Sequence, residues 1–167
     1  QKEIFKYLNI STKKVISSEK NKYIEGDEII CTNHPFEHRF DKISKSIIGV
    51  IRNTFLKFGS KSNIKCYKKI YIERDYSKFN LKGDLSKYKD NRILINNDEI
   101  KNYLKKKGFK SYKFNSLTFA DQIKIFSNAK IIISMFGAEL SNLVFCSKGT
   151  KVIEIKNKKE LNEFKNI

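Results

Sequence analysis

A ladder of β-branched residues, Ile131-Ile132-Ile133, halts at the small polar Ser134, and the pair Gly137-Ala138 then opens a predicted helix running through Asn142. An unbroken apolar run of this kind reads as a buried strand, and the glycine lets the following helix begin close to the strand end. There the first backbone amides have no partner and point at whatever approaches. Few folds accommodate such a junction outside the α/β class, where its commonest guest is a nucleotide diphosphate. Another short strand, Lys151-Val152-Ile153-Glu154-Ile155, follows the turn Ser147-Lys148-Gly149-Thr150 and carries one carboxylate, Glu154, among apolar neighbours.

The residues upstream repeat the strand–helix alternation. Lys69 to Ile72 predicts a strand ending at Glu73-Arg74-Asp75, followed by a long polar loop containing Gly83. Arg92-Ile93-Leu94-Ile95 leads into a helix whose Asn96 and Glu99 have capping-box spacing and which ends at Lys107-Gly108. Phe109 to Phe114 predicts a strand. Thr118 caps the next helix with Asp121 at its third position, and Phe119, Ile123 and Phe126 share one face. Taken together this is an open parallel sheet with crossover helices. Before it, the pattern predicts a strand over Lys14 to Ser17, a strand or hairpin over Tyr23 to Thr32, and an amphipathic helix from about Ser44 to Phe58, stopped by Gly59. Tyr71, Phe119 and Phe126 are expected in the core.

The net charge of +17 invites a nucleic-acid reading, but only four of the 35 cationic residues are arginine: Arg39, Arg52, Arg74 and Arg92. Readers of nucleic acid favour arginine for two-pronged contacts to phosphate and guanine. Solvated lysine spread along the chain is the better account, and the rare arginines are the informative cations. Cys31, Cys66 and Cys146 are odd in number and lack C-x-x-C spacing, against both a disulfide framework and a zinc site. His34 and His38 flank Pro35, which pushes His34 out of helical space and disfavours metal binding there. No apolar run is long enough to cross a bilayer. The chain begins at Gln1 and stops within a helix-like stretch, so a piece of a longer polypeptide is expected.

Six segments resemble, in order and spacing, the pattern of glycosyltransferase family 61. They are Ile72-Glu73-Arg74, Arg92 through Asn96-Asn97-Asp98-Glu99, Gly108-Phe109, Thr118-Phe119-Ala120-Asp121-Gln122, Phe136-Gly137-Ala138-Glu139-Leu140-Ser141-Asn142 and Val152-Ile153-Glu154. The family's counterparts are strand-Ser-Arg, Arg-x-x-x-Asn-Glu-x-Glu, Gly-Phe, Ser-Phe-x-x-Gln, His-Gly-Ala-x-Leu-x-Asn and Val-Ile-Glu, and the resemblance covers residues 69–155. It implies an α/β fold: a Rossmann-like parallel sheet with flanking helices, the carboxy-terminal domain of a two-domain GT-B glycosyltransferase. Residues 61–167 would form this nucleotide-sugar-binding domain, and residues 1–60 the tail of the amino-terminal acceptor lobe with the interlobe helix. The activity implied is inverting transfer of a hexose or pentose from a UDP-sugar, the co-substrate, to a glycan or protein hydroxyl. No cofactor and no metal are expected, because cations and helix amides replace metal in this architecture. The partners expected are the UDP-sugar, a glycan or protein acceptor and, peripherally, a membrane, but no nucleic acid. A cytoplasmic enzyme of surface-polysaccharide synthesis suits the few cysteines; the sequon Asn9-Ile10-Ser11 points to the alternative, a Golgi or endoplasmic-reticulum lumen.

By the same resemblance the donor site comprises Arg74, Arg92, Phe136, Gly137, Ala138, Asn142 and Glu154. Arg74, at a strand end, is assigned to the diphosphate, with a surface salt bridge to Glu73 or Asp75 as the competing use. Arg92 resembles a second phosphate or uracil contact. Gly137 and Ala138 would bring helix amides to the diphosphate, and Glu154 would accept bonds from ribose hydroxyls. Asn142 caps its helix or touches ligand, the structural use being favoured. Two positions depart from the pattern: Phe136 replaces the motif histidine, and Glu139 follows Ala138, where its carboxylate would repel a diphosphate if it faced the same way. These departures support an alternative, a degenerate non-catalytic nucleotide- or carbohydrate-binding module. The catalytic residue is not identified, His34 and His38 being weak local candidates for the base.

Overall fold

The structure is a computed structural model that describes residues 2–16, 23, 25–28, 45–74, 94 and 96–156. Its centre is a four-stranded sheet made of β1 (Lys69–Glu73), β2 (Lys110–Lys113), β3 (Ile131–Met135) and β4 (Lys151–Ile155). The order across the sheet is β2-β1-β3-β4, and every pairing is parallel. Among the described residues four α-helices accompany it: α1 (Lys2–Tyr7), α2 (Lys45–Phe55), α3 (Asn97–Lys106) and α4 (Phe119–Asn128).

Alternation along the strands divides the core into two layers. Ile70 and Ile72 of β1 and Ile132 of β3 pack with Ile123, Ile125 and Phe126 of α4 on one face. Tyr71 and Ile133 meet Leu104 of α3, with Ile100 and Phe109, on the other. Helices on both faces of a parallel sheet give the expected Rossmann-like α/β arrangement. Tyr71 and Phe126 are fully buried, and Phe119 packs at the edge of the α4 cluster.

Local chemistry accounts for the helix starts. Thr118 accepts from the Asp121 amide while the Asp121 carboxylate accepts from the Thr118 amide, a complete capping box. Two more amides of that first turn, those of Phe119 and Ala120, donate to Glu3 of α1. This carboxylate, supplied from the far end of the chain, suits the positive end of the helix. Asn96 occupies the cap position of α3 without a side-chain hydrogen bond, and Asn97 instead accepts from the Tyr71 hydroxyl at 2.8 Å.

Three local expectations need correction. Helix α2 ends at Phe55 and continues as a 3₁₀ helix, Leu56–Lys61, straight through Gly59. Gly59 is no stop: it is buried against α4, where a Cβ would stand 3.0 Å from Ile123 Cγ2, so the glycine permits close approach. Of Lys14 to Ser17, predicted as a strand, Lys14 closes a 3₁₀ turn, Thr12–Lys14, Val15 and Ile16 join no strand, and Ser17 lies outside the described residues. Within Tyr23 to Thr32, the described residues 23 and 25–28 form no strand, and the remainder lies outside the described residues.

The segments before β1 share the main core. Tyr7 stacks on Phe58 with ring centroids 4.2 Å apart, and Phe55 meets Phe119 edge-on at 5.5 Å. Arg52 of α2 donates to the carbonyls of Val144 and Cys146 at 2.7 and 2.8 Å.

Candidate functional site

The strand order reverses between β1 and β3. From β1 the chain goes outward to β2, then returns to the other side of β1 as β3. In open α/β sheets the loops leaving adjacent strands part at such a point, and a crevice opens beyond their carboxyl ends. Arg74 directly follows β1, and Phe136-Gly137 directly follows β3, so the reversal brings them together.

Register determines which side chains face this crevice. Ile72 pairs with Ser134, and Ser134 with Glu154, so these three form a row on one face. Two residues further along each strand the same parity carries Arg74, Phe136 and Lys156 to the rim. A small pocket opens here, lined by Ile72, Arg74, Ser134, Met135, Phe136 and Glu139. Its free volume of about 10 Å³ is room for about one water molecule.

The residue preceding Arg74 faces the opposite way. Glu73 is buried on the α3 side and pairs with Lys101 at 3.0 Å. A Glu73–Arg74 salt bridge, one competing use of this arginine, is therefore not formed. Among the described residues Arg74 has neither hydrogen bond nor ion pair; Asp75 lies outside them.

The segment after Gly137 is a 3₁₀ helix, Ala138–Phe145, rather than an α-helix. Asn142 explains part of the difference: its Nδ2 donates to the Glu139 carbonyl at 3.1 Å, the acceptor an α-helix would offer to the amide of residue 143. Leu140 N–H returns to the Gly137 carbonyl at 3.1 Å. The amides of Ala138 and Glu139, just before it, have no partner among the described residues, which leaves them as anion-facing donors. Gly137 itself is extended, a conformation open to any residue. A Cβ there would collide with the Glu139 carboxylate and stand 3.9 Å from Arg74 Nη1.

Of the residues expected at the donor site, Arg74, Phe136 and Gly137 come together at this pocket, and Ala138 opens the 3₁₀ helix beside it. Phe136 is 47% exposed, with Lys156 Nζ 5.8 Å from its ring centroid. Glu154 stands two strands from β1, paired with Lys156 at 3.0 Å. Asn142 turns away from the pocket, giving its second Nδ2 bond to Gln122 Oε1 at 3.3 Å. Arg92, His34 and His38 lie outside the described residues. The sequence reading missed two residues, Ser134 in the pocket lining and Lys156 on its rim, whereas Glu139, singled out there as a carboxylate that would oppose a diphosphate, does line the pocket. Strand parity marks Ser134 and Lys156, once the register is known.

A larger groove of about 670 Å³ runs between α2 and the 3₁₀ helix, lined by Ile48, Arg52, Leu140, Leu143, Val144 and Lys148 among others. It lies away from the strand ends, and Arg52 is already committed to two carbonyls. Cys146 also lines this groove, and burial pushes its thiol up to about 11, against the opposing pull of Arg52. Among the described residues no cluster of His, Cys, Asp and Glu could hold a metal ion, and no helix is long and apolar enough to cross a membrane.

The family model described as Glycosyltransferase 61 matches residues 8–153. A mouse (Mus musculus) protein, EGF domain-specific O-linked N-acetylglucosamine transferase, is 35% identical over 78 residues, which are 44% of this chain. The match spans only 15% of that relative's length.

Proposed function

The chain belongs to the glycosyltransferase 61 family, and from that premise we propose that it binds a UDP-sugar at the β1/β3 rim. The sugar is transferred with inversion to a glycan or protein hydroxyl. One observation carries this reading: Arg74, without a partner among the described residues, stands beside Gly137 where the strand order reverses, and the 3₁₀ helix that follows Gly137 opens with the unpartnered amides of Ala138 and Glu139. That combines a planar cation with backbone donors, the pair of features that stabilises a departing diphosphate. Lys156, on the same rim, is paired with Glu154, and Phe136 offers an apolar edge for the base or the sugar ring.

In such a transfer the acceptor oxygen bonds to the anomeric carbon as the bond from that carbon to the diphosphate oxygen breaks. The acceptor's proton passes to a base, and UDP leaves with the bonding electron pair. In-line geometry places the base across the anomeric carbon from the diphosphate, which rules against Glu139, a neighbour of Arg74. The base is assigned instead to the acceptor lobe, of which residues 1–60 are the proposed tail, with His34 and His38 as local candidates. No metal is assigned to the reaction, and a cytoplasmic location is retained over a secretory lumen.

Calorimetry with UDP and UDP-sugars tests the proposal. The mouse relative is named as an N-acetylglucosamine transferase, which makes UDP-N-acetylglucosamine the first donor to try. UDP binding in the parent that weakens at least about tenfold in Arg74→Ala and survives chelation of divalent metals is expected. A folded parent that binds no UDP refutes the reading. Phe136 at the motif histidine position favours a second reading, a binding module without turnover. Donor binding with no transfer or donor hydrolysis, unchanged in Phe136→His, supports it; turnover by the parent removes it.

A further inference from the structure

We propose that Glu139 is the selectivity residue of the β1/β3 site. Its carboxylate is a built-in anion beside the cradle, bonded to neither Arg74 nor the open amides, and its charge admits only a ligand bearing both a diphosphate and a nucleoside. This rests on the donor-site reading above.

The first observation is steric. Glu139 Oε2 stands in the space that a Cβ on Gly137 would fill, and Arg74 Nη1 is 3.9 Å from the same point. The carboxylate and the guanidinium thus both border the space beside Gly137, where a ligand phosphate would have to meet the arginine. The second is volumetric. The pocket has about 10 Å³ free, room for about one water, so a diphosphate enters only after a lining group withdraws.

Few lining groups can do so. Ile72, Ser134 and Met135 are buried within the sheet, and Arg74 is the counter-charge a phosphate needs. Phe136 already sits at the exposed rim. Glu139 is half-buried on a flexible side chain, and its carboxylate has no hydrogen bond or ion pair among the described residues, so rotation forfeits no bond. A tethered carboxylate stays beside the guanidinium at an effective concentration of about millimolar or more and repels any approaching anion, and inorganic phosphate or pyrophosphate, held by charge alone, does not overcome it. A nucleoside diphosphate gains further contacts along the rim and does.

The test uses the full chain, with UDP, UMP, pyrophosphate and inorganic phosphate as probes, on the parent, Glu139→Gln and Glu139→Ala. Circular dichroism confirms that each variant is folded. In both variants UDP should bind at least about fivefold tighter, and inorganic phosphate or pyrophosphate, silent on the parent, should bind and compete with UDP. Unchanged or weaker UDP affinity in both variants, with Arg74→Ala still abolishing binding, overturns the selectivity role while leaving the donor site intact. Absence of UDP binding in the parent and in both variants removes the donor-site reading and this inference with it.

Discussion

The hydrogen-bonded pair Gln122–Asn142 offers a quantitative test of whether Asn142 serves structure or ligand. Asn142 Nδ2 donates to Gln122 Oε1 at 3.3 Å and to the Glu139 carbonyl at 3.1 Å, and Gln122 Nε2 donates to the Leu117 carbonyl at 3.3 Å. These are bonds at the long end of the range between half-buried groups, each contributing about 0.5–1 kcal/mol net. Asn142→Ala removes two of them, a loss of about 1–2 kcal/mol, or roughly 2–6 °C in Tm for a chain of this size. Gln122→Ala removes two as well, one of them shared. The double variant should therefore lose less than the sum, with a coupling of about 0.5–1 kcal/mol. Urea unfolding of the four proteins measures these quantities, and a UDP titration of each completes the cycle. UDP affinity should fall by much less than in Arg74→Ala, because Asn142 supports the Gly137–Glu139 turn without facing the pocket. The reasoning is refuted if the coupling is absent, or if Asn142→Ala keeps full stability yet loses UDP binding as completely as Arg74→Ala.

Two further outcomes concern stability. Arg52→Met should lower stability by about 1–2 kcal/mol in urea unfolding, since two charge-assisted bonds to Val144 and Cys146 are lost but the carbonyls can be rehydrated from the adjoining groove; Arg52→Lys should recover part of this, and equal stability of all three proteins would refute the assignment. For Asp121, burial alone would raise the carboxyl, but hydrogen bonds from Ser62 and Thr118, with Lys124 nearby, outweigh it and hold the group below its ordinary value of 3.8. Its stabilisation is thus present above that value and lost as pH falls through the lower folded-state value. Asp121→Ala should cost about 1 kcal/mol at pH 7, and the gap from the parent should narrow only below about pH 4; a gap independent of pH would refute it.

What was legible in the sequence was what local chemistry determines. The isoleucine run of β3, the Thr118–Asp121 capping box and the apolar face of α4 are each specified within a few residues, and each stands where expected. What was not legible depends on partners distant in the chain. Glu3 completes the first turn of α4 from 116 residues away. Gly59 looked like a helix stop because the tight seat against Ile123 is invisible without tertiary structure. Gly137-Ala138 correctly announced a helix but not its type, which depends partly on where the Asn142 side chain turns. Arg74 could be nominated from its strand end, whereas Ser134 and Lys156 required the β1/β3/β4 register.

Residues outside the pocket hold the segment that shapes it. The 3₁₀ helix Ala138–Phe145 is fixed near its middle by Asn142, which binds Glu139 on one side and Gln122 of α4 on the other. Its far end is held by Arg52 of α2, through Val144 and Cys146. At its near end the Glu139 carbonyl is held by Asn142, but the Glu139 side chain, which lines the pocket, has no hydrogen bond or ion pair among the described residues. A 3₁₀ segment of eight residues is unusually long, and its poorer hydrogen-bond geometry makes it depend on such side-chain support. Freedom is thereby left to a side chain at one end of the segment, where Arg74 waits across the strand order's reversal. The motif spacing that links Gln122, Gly137 and Asn142 thus has a mechanical reason: two of the three secure the turn that the third begins.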